Sequence, residues 1–259
     1  MLLTRFIYPL SLREHISFKF YKLFSNTSDK NISLEFDDTI KLDLLKTDIG
    51  HKSIIFNGFF ELPLSRDIVK YGLSGGLLVD VGANYGYFSC LWASKNPNNR
   101  VVAFEASPNN VGPLKNNINK NGFQDKISVI EKAVGKEKGK LNFNLGNENQ
   151  QTGWGGLTIK NEASSISVDV DTLDNYFADS DIKQINVLKI DTEGADTWVL
   201  YGAEKLLRKK RIDHIFFEHN DSRMRPLNIG KNEAIVFLEG LDYIVEKHTE
   251  EDFYAYPRK

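Results

Sequence analysis

A single cysteine, Cys90, leaves the chain without an intrachain disulfide, so a reducing compartment, the cytoplasm, is the expected location. Neither charge is in excess: 33 Lys and Arg against 35 Asp and Glu leave a net charge of −2, which gives no general pull toward nucleic acid or an anionic membrane. No apolar run is long enough for a signal-peptide core or a membrane span. Internal repeats and low-complexity tracts are also lacking, which excludes solenoids and biased linkers. What remains is a chain of 259 residues, long enough to bury a real core.

The organising stretch is Leu77-Leu78-Val79-Asp80-Val81-Gly82-Ala83-Asn84-Tyr85-Gly86-Tyr87-Phe88. An apolar run carrying one acid is followed by Gly82 and Gly86, and then by a segment that reads as helix. This is the strand, turn and helix order of a nucleotide-binding first βα unit. Glycine lets backbone pass close to a ligand, and free N–H groups at a helix start face polar ligand groups. A dinucleotide fingerprint is G-x-G-x-x-G, but Asn84 holds the middle position here and Asp80 stands two residues before the first glycine. A carboxylate there repels a pyrophosphate and suits a cationic amino group, such as that of S-adenosylmethionine. A nicotinamide-dependent oxidoreductase is the alternative that this spacing disfavours.

Downstream, apolar stretches alternate with helical ones at the rhythm of a doubly wound α/β sheet. Arg100 to Glu105 reads as a second buried strand ending in an acid about twenty residues past the loop, where such folds place a carboxylate on ribose hydroxyls. Ser107-Pro108 starts a helix that Asn121-Gly122 stops. Ile127 to Glu131 is the third strand, with Lys132-Ala133-Val134 at its end bordering an adenine. Residues 1–75 read as an N-terminal extension. In it, Met1 to Phe24 forms a helix packed on the protein or, through its apolar and basic residues, lying on a membrane or a partner chain. Ile54-Ile55-Phe56 and Phe59-Phe60-Glu61 read as a strand or short hairpin, and Ser65 to Tyr71 as a helix. Within the main domain, 76–259, a polar insertion spans about 136–168. Its Gly146 to Gly156 segment carries Trp154 and reads as a mobile flap offering a stacking surface to a sugar, or as an ordinary flexible hairpin.

The fourth strand, Ile185 to Asp191, ends in Asp191-Thr192-Glu193-Gly194 ahead of a helix from Ala195 to Arg211, and the fifth, Ile212 to Asn220, ends in Glu218 and His219. Open α/β sheets do their chemistry at these carboxyl ends, so the four polar residues are expected to be neighbours. Asp191, Glu193 or His219 would serve as general base on an acceptor hydroxyl. Alternatively, Asp191, Glu218 and His219 would hold Mg²⁺ or Mn²⁺, lowering that hydroxyl's pKa. The plainer role for Glu193 and Glu218 is capping of loops. A helix from Asn232 to Gly240 and two strands, Tyr243 to Val245 and Phe253 to Tyr256, complete the chain.

The ordered set Asp80 to Phe88, Phe104-Glu105-Ala106-Ser107-Pro108, Glu131 to Gly135, Thr172-Leu173-Asp174 and Leu188 to Asp196 resembles the FkbM family of S-adenosylmethionine-dependent methyltransferases. The resemblance covers roughly Ile54 to Asn220. It implies a class I methyltransferase (Rossmann-like) domain: a mostly parallel, doubly wound sheet of seven strands with the last antiparallel. It further implies O-methylation of a sugar, polysaccharide or glycosylated small molecule. Carried over, it assigns Asp80, Gly82, Asn84 and Gly86 to the methionine part of the cofactor, Glu105 to the ribose, and Ala106 and Ala133 to the adenine. Ala83, Phe88, Ser107 and Asp191 are assigned to the cofactor as well. An RNA ribose 2′-O-methyltransferase is the alternative within this sheet class, since Lys189 and Asp191 share a strand face and Glu218 follows on the next strand. The broad basic surface it needs is missing, the only cluster being Lys205 to Arg211, so a small molecule or glycan rather than nucleic acid is the expected partner. An oligomer is left open.

Overall fold

In a computed structural model of the chain, the described residues are 3–20, 29–146, 152–159 and 165–258. After a short 3₁₀ turn at Leu3–Phe6 come α1 (Leu10–Phe20), the small hairpin of β1 (Ile32–Ser33) and β2 (Lys41–Leu42), α2 (Ile49–Asn57) and α3 (Leu62–Gly72). The alternating core follows: β3 (Leu77–Val81), α4 (Tyr87–Lys95), β4 (Arg100–Phe104), α5 (Pro108–Lys120) and β5 (Ile127–Ile130). Next are β6 (Ala133–Val134), β7 (Gly139–Asn144), β8 (Gly156–Thr158), β9 (Ser165–Asp171) and α6 (Leu173–Tyr176). The chain closes with β10 (Ile185–Ile190), α7 (Asp196–Tyr201), α8 (Glu204–Arg208), β11 (Ile212–Glu218), α9 (Asp221–Met224), α10 (Glu233–Gly240), β12 (Tyr243–Lys247) and β13 (Asp252–Pro257).

The main sheet has seven strands in the order β12-β13-β11-β10-β3-β4-β5. Pairing is parallel from β11 through β10, β3 and β4 to β5, while β13 runs antiparallel to both β11 and β12. This is the arrangement that the resemblance implies, including the antiparallel last strand. All residues of β3 are buried because both faces of the sheet are covered, which is why it reads as one apolar run. Its side chains alternate between two cores: Leu78 joins the cluster of Phe59, Ile68 and Trp92, whereas Leu77, Val79 and Val81 join that of Leu188, Phe217 and Leu238. Residues of the insertion, together with β6 and the end of β9, form a separate sheet in the order β6-β9-β7-β8.

Three stretches depart from the sequence reading, one of them Phe59-Phe60-Glu61, which is the irregular link between α2 and α3 and not a strand. The run Ile54-Ile55-Phe56 is helix, not strand. Asp48 caps α2 by accepting from His51 N–H, Gly58 ends it in the left-handed region at φ 86°, and all three apolar residues are buried, so the run carries no periodicity that distinguishes the two. The single helix expected over Ala195 to Arg211 is two. At Gly202, between α7 and α8, a side chain would stand 2.1 Å from the Gly135 carbonyl oxygen, a close approach that the break makes room for.

Of the Met1 to Phe24 segment, residues 1–2 and 21–24 lie outside the described residues. Within it, Arg13 is fully buried, donating to Glu35 Oε2 at 2.5 Å and to the carbonyls of Arg5, Ile7 and Asn57. Arg5 donates to the carbonyls of Ser33, Ile54 and Ile55. Both guanidiniums therefore fasten this segment onto β1 and α2. Among the described residues, no helix is long and apolar enough to cross a membrane.

Candidate active site

Two cavities open at the carboxyl ends of the parallel strands. The smaller, about 60 Å³, is lined by Glu105, Ala106, Asn110, Ala133 and Val134, with Phe143 and Leu157 from the insertion sheet. The larger, about 740 Å³, reaches from α2 and α3 across the ends of β10 and β11 to the turn between β12 and β13. Gly82, Asn84, Gly153 and Asp191 line both, so the cavities meet at the turn after β3.

That turn is shaped by backbone that only some residues tolerate. Gly82 sits at φ 78°, and a side chain there would stand 1.9 Å from the Asp191 carbonyl oxygen. Asn84 is itself left-handed at φ 50°. Its N–H donates to Glu105 Oε2 at 2.7 Å, while Ser107 N–H donates to Glu105 Oε1 at 2.8 Å. The buried Glu105 thus ties the turn to the end of β4. Burial pushes its carboxyl up to about 7 against the opposing pull of these two amides.

The structure brings Gly82, Asn84, Glu105, Ala106, Ala133 and Asp191 to the smaller cavity, and Ala83 and Phe88 to the larger. Three residues expected to contact the cofactor line neither cavity. Asp80 is completely buried and lines neither cavity. Its Oδ2 accepts from Ser89 Oγ at 2.6 Å, and Lys189 Nζ lies 3.3 Å from its Oδ1, so it has an internal counter-charge. Gly86 starts α4 at φ 85° and packs on Leu114, where a side chain would come within 2.6 Å. Ser107 is buried at the start of α5 and acts through the amide that it gives to Glu105.

Lys189 is the electrostatic centre of the site. Its Nζ donates to the Gly82 carbonyl at 2.9 Å and lies 3.3 Å from both Asp80 and Asp191. Burial acts to lower its pKa, but Asp191 and Asp80 outweigh that and hold it protonated. Beyond it the larger cavity is rich in carboxyls. Glu193, left-handed at φ 56°, has Arg223 Nε 3.3 Å from its Oε2, and burial followed by the charge of Asp191 raises it to about 7. Glu218 is raised to about 9 by burial, then by Asp191. Trp154, half exposed, stands at this cavity with the Arg223 guanidinium 5.2 Å above its ring. Of the segment predicted as a flap, residues 147–151 lie outside the described residues. Thr152, which follows them, donates to Asp48 Oδ2 through both N–H and Oγ1.

His219 is not brought to the cavities. Its Nε2 lies 3.2 Å from Asp221 Oδ1 and its ring packs edge-on against Phe253, because the strand alternation that turns Glu218 inward turns the next residue away. Among the described residues no three His, Cys, Asp or Glu side chains are grouped to hold a metal ion. The set Asp191, Glu218 and His219 therefore does not fit Mg²⁺ or Mn²⁺. Sequence reasoning missed Asp48, His51, Glu61, His248 and Asp252, all of which line the larger cavity. They come from regions read as extension or terminal hairpin, where no local pattern marks them.

Residues 80–245, more than half of the chain, match the family model of the methyltransferase FkbM domain. Among curated relatives, the 2-O-methyltransferase NoeI of Sinorhizobium fredii is 24% identical over 162 residues, covering 57% of this chain and 65% of that protein. Methyltransferase 1 of Beauveria bassiana is 23% identical over 198 residues, covering 69% of this chain and 76% of its own. A solved structure of an FkbM methyltransferase from Methylobacillus flagellatus is similar at a TM-score of 0.47 and 16% identity, over 70% of this chain and 44% of that one. On the match over residues 80–245, the chain belongs to the FkbM methyltransferase family.

Proposed function

We propose that the protein transfers the methyl group of S-adenosylmethionine to a hydroxyl of a sugar or glycosylated small molecule. The observation that carries this reading is the seam: a narrow cavity and a wide one share Gly82, Asn84, Gly153 and Asp191. The residues present fit the cofactor. Glu105 keeps acceptor capacity on both oxygens for a ribose diol after taking one amide each, Ala106 and Ala133 leave room for a flat base, and Gly82 presents no side chain. When bound, the cofactor supplies an electrophilic methyl on a sulfonium.

Asp191, lining both cavities, would hold the acceptor hydroxyl where the two spaces meet. Alignment of that hydroxyl with the methyl contributes on the order of several kcal/mol to the barrier reduction. Glu193, at the wide cavity and with its carboxyl near neutrality, would take the proton of the acceptor hydroxyl. Trp154 supports a sugar acceptor by offering an aromatic face at the wide cavity. The similarity to a protein named a 2-O-methyltransferase supports oxygen as the nucleophile. Calorimetric titration with S-adenosylhomocysteine, with NAD⁺ in parallel, tests the cofactor. Micromolar binding of the first alone is expected, and binding of NAD⁺ in its place overturns the reading.

A further inference from the structure

The larger cavity is lined by eight Asp and Glu residues and one lysine. Most of these carboxylates have protein partners. Asp48 accepts from Thr152 and from His51 N–H, Asp252 accepts from Thr249 Oγ1, Glu193 faces Arg223, and Asp191 faces Lys189. The cavity's other basic side chains are taken. His248 lies 2.8 Å from Asp67, and the His51 ring lies between Leu45 N–H and Asn84.

Glu61 is different. No hydrogen bond or ion pair to its carboxylate exists among the described residues, and it lies at the larger cavity within reach of the charges of Asp191 and Asp252 and, more weakly, of Lys189, whose ammonium is already engaged by Asp80 and Asp191. Its backbone is left-handed at φ 45° and ψ 76°, a rare conformation for glutamate, and at the start of α3 its side chain gives the helix no cap. Its carbonyl accepts from Ser65 N–H at 2.9 Å, so the side chain alone is left without a role in the helix, and strained backbone of this kind collects at functional positions. A second unmet group lies in the same cavity: Glu218 Oε2 is enclosed without a hydrogen bond. Neither residue lines the narrow cavity or the seam, so the cofactor does not account for them.

Resting on the methyltransferase reading of this site, we propose that the acceptor carries a protonated amino group that Glu61 receives, which makes an amino sugar the substrate class. A neutral hydroxyl would meet one carboxylate at a time. An ammonium donates to Glu61 and also offsets the repulsion among its acidic neighbours.

The test uses the full chain, by calorimetry at saturating S-adenosylhomocysteine, with glucosamine and N-acetylglucosamine as probes. Glucosamine is expected to bind at least about tenfold tighter, as expected of a charge-assisted contact. Glu61→Gln should erase that preference and leave S-adenosylhomocysteine affinity unchanged. Glu61→Asn, whose side chain tolerates the left-handed backbone, should do the same and separates loss of the carboxylate from loss of the fold. Equal affinity for the two sugars in the native chain, or a preference that survives both substitutions, overturns the proposal. The same sugar comparison without S-adenosylhomocysteine judges Glu61 even if that ligand fails to bind, a failure that would count against the cofactor reading alone.

Discussion

The two cavities that meet at Asp191 are built of different material. The narrow one is made by backbone and small side chains at the ends of β3, β4 and β5, with Glu105 tied by two amides. The wide one is made by side chains from α2, α3, β10, β11 and the turn before β13, and its carboxyls are crowded and pushed up by burial and by each other. A surface that must recognise one fixed cofactor is served by precise backbone. A surface that must bind a variable acceptor and move a proton is served by titratable groups held short of full satisfaction.

The contrast can be broken most severely at its shared edge. Gly82→Ala places a methyl against the Asp191 carbonyl, a backbone clash that no rotamer relieves, so S-adenosylhomocysteine affinity should fall by more than about 100-fold in calorimetry. Lys189→Met leaves Asp80 and Asp191 without their counter-charge. A loss of about 3–5 kcal/mol in denaturant unfolding is expected, as for breaking one side of a buried pair.

Glu193→Gln should separate the halves: kcat falls by about 10²–10⁴-fold while cofactor affinity is unchanged. Because the Glu193 carboxyl must be ionised to take a proton, native kcat should rise as pH passes about 7, and the variant's should stay flat. The stability sign is opposite. The folded state holds this proton more tightly than the unfolded one, so between the ordinary 4.5 and about 7 this group makes native stability fall with rising pH, a slope that the variant lacks. The smallest effect is at the rim. Trp154→Ala should raise the acceptor KM by about two- to tenfold, the range of one aromatic contact, with S-adenosylhomocysteine binding intact.

The narrow cavity was legible because its parts are local. Gly82, Asn84 and Glu105 lie within one βαβ unit, where spacing and residue type carry the geometry. The pairing of Asp80 with Lys189 was not legible, because a run of residues does not say which face of a strand each one occupies relative to a lysine on the neighbouring strand. The placement of His219 away from the cavities was hidden for a related reason: adjacent strand residues point to opposite sides, and only the register of β11 fixes that Glu218 is the inward one.

By itself the sequence determined the alternating sheet, the glycine turn and the carboxyl-rich strand ends, since periodicity and backbone tolerance are properties of short stretches. Only the tertiary structure decided that Lys189 neutralises Asp80 and that Glu61, His51 and Asp252 face the same space as Asp191. Those contacts join segments far apart in the chain, and burial, which sets their charge, is a property of the assembled core.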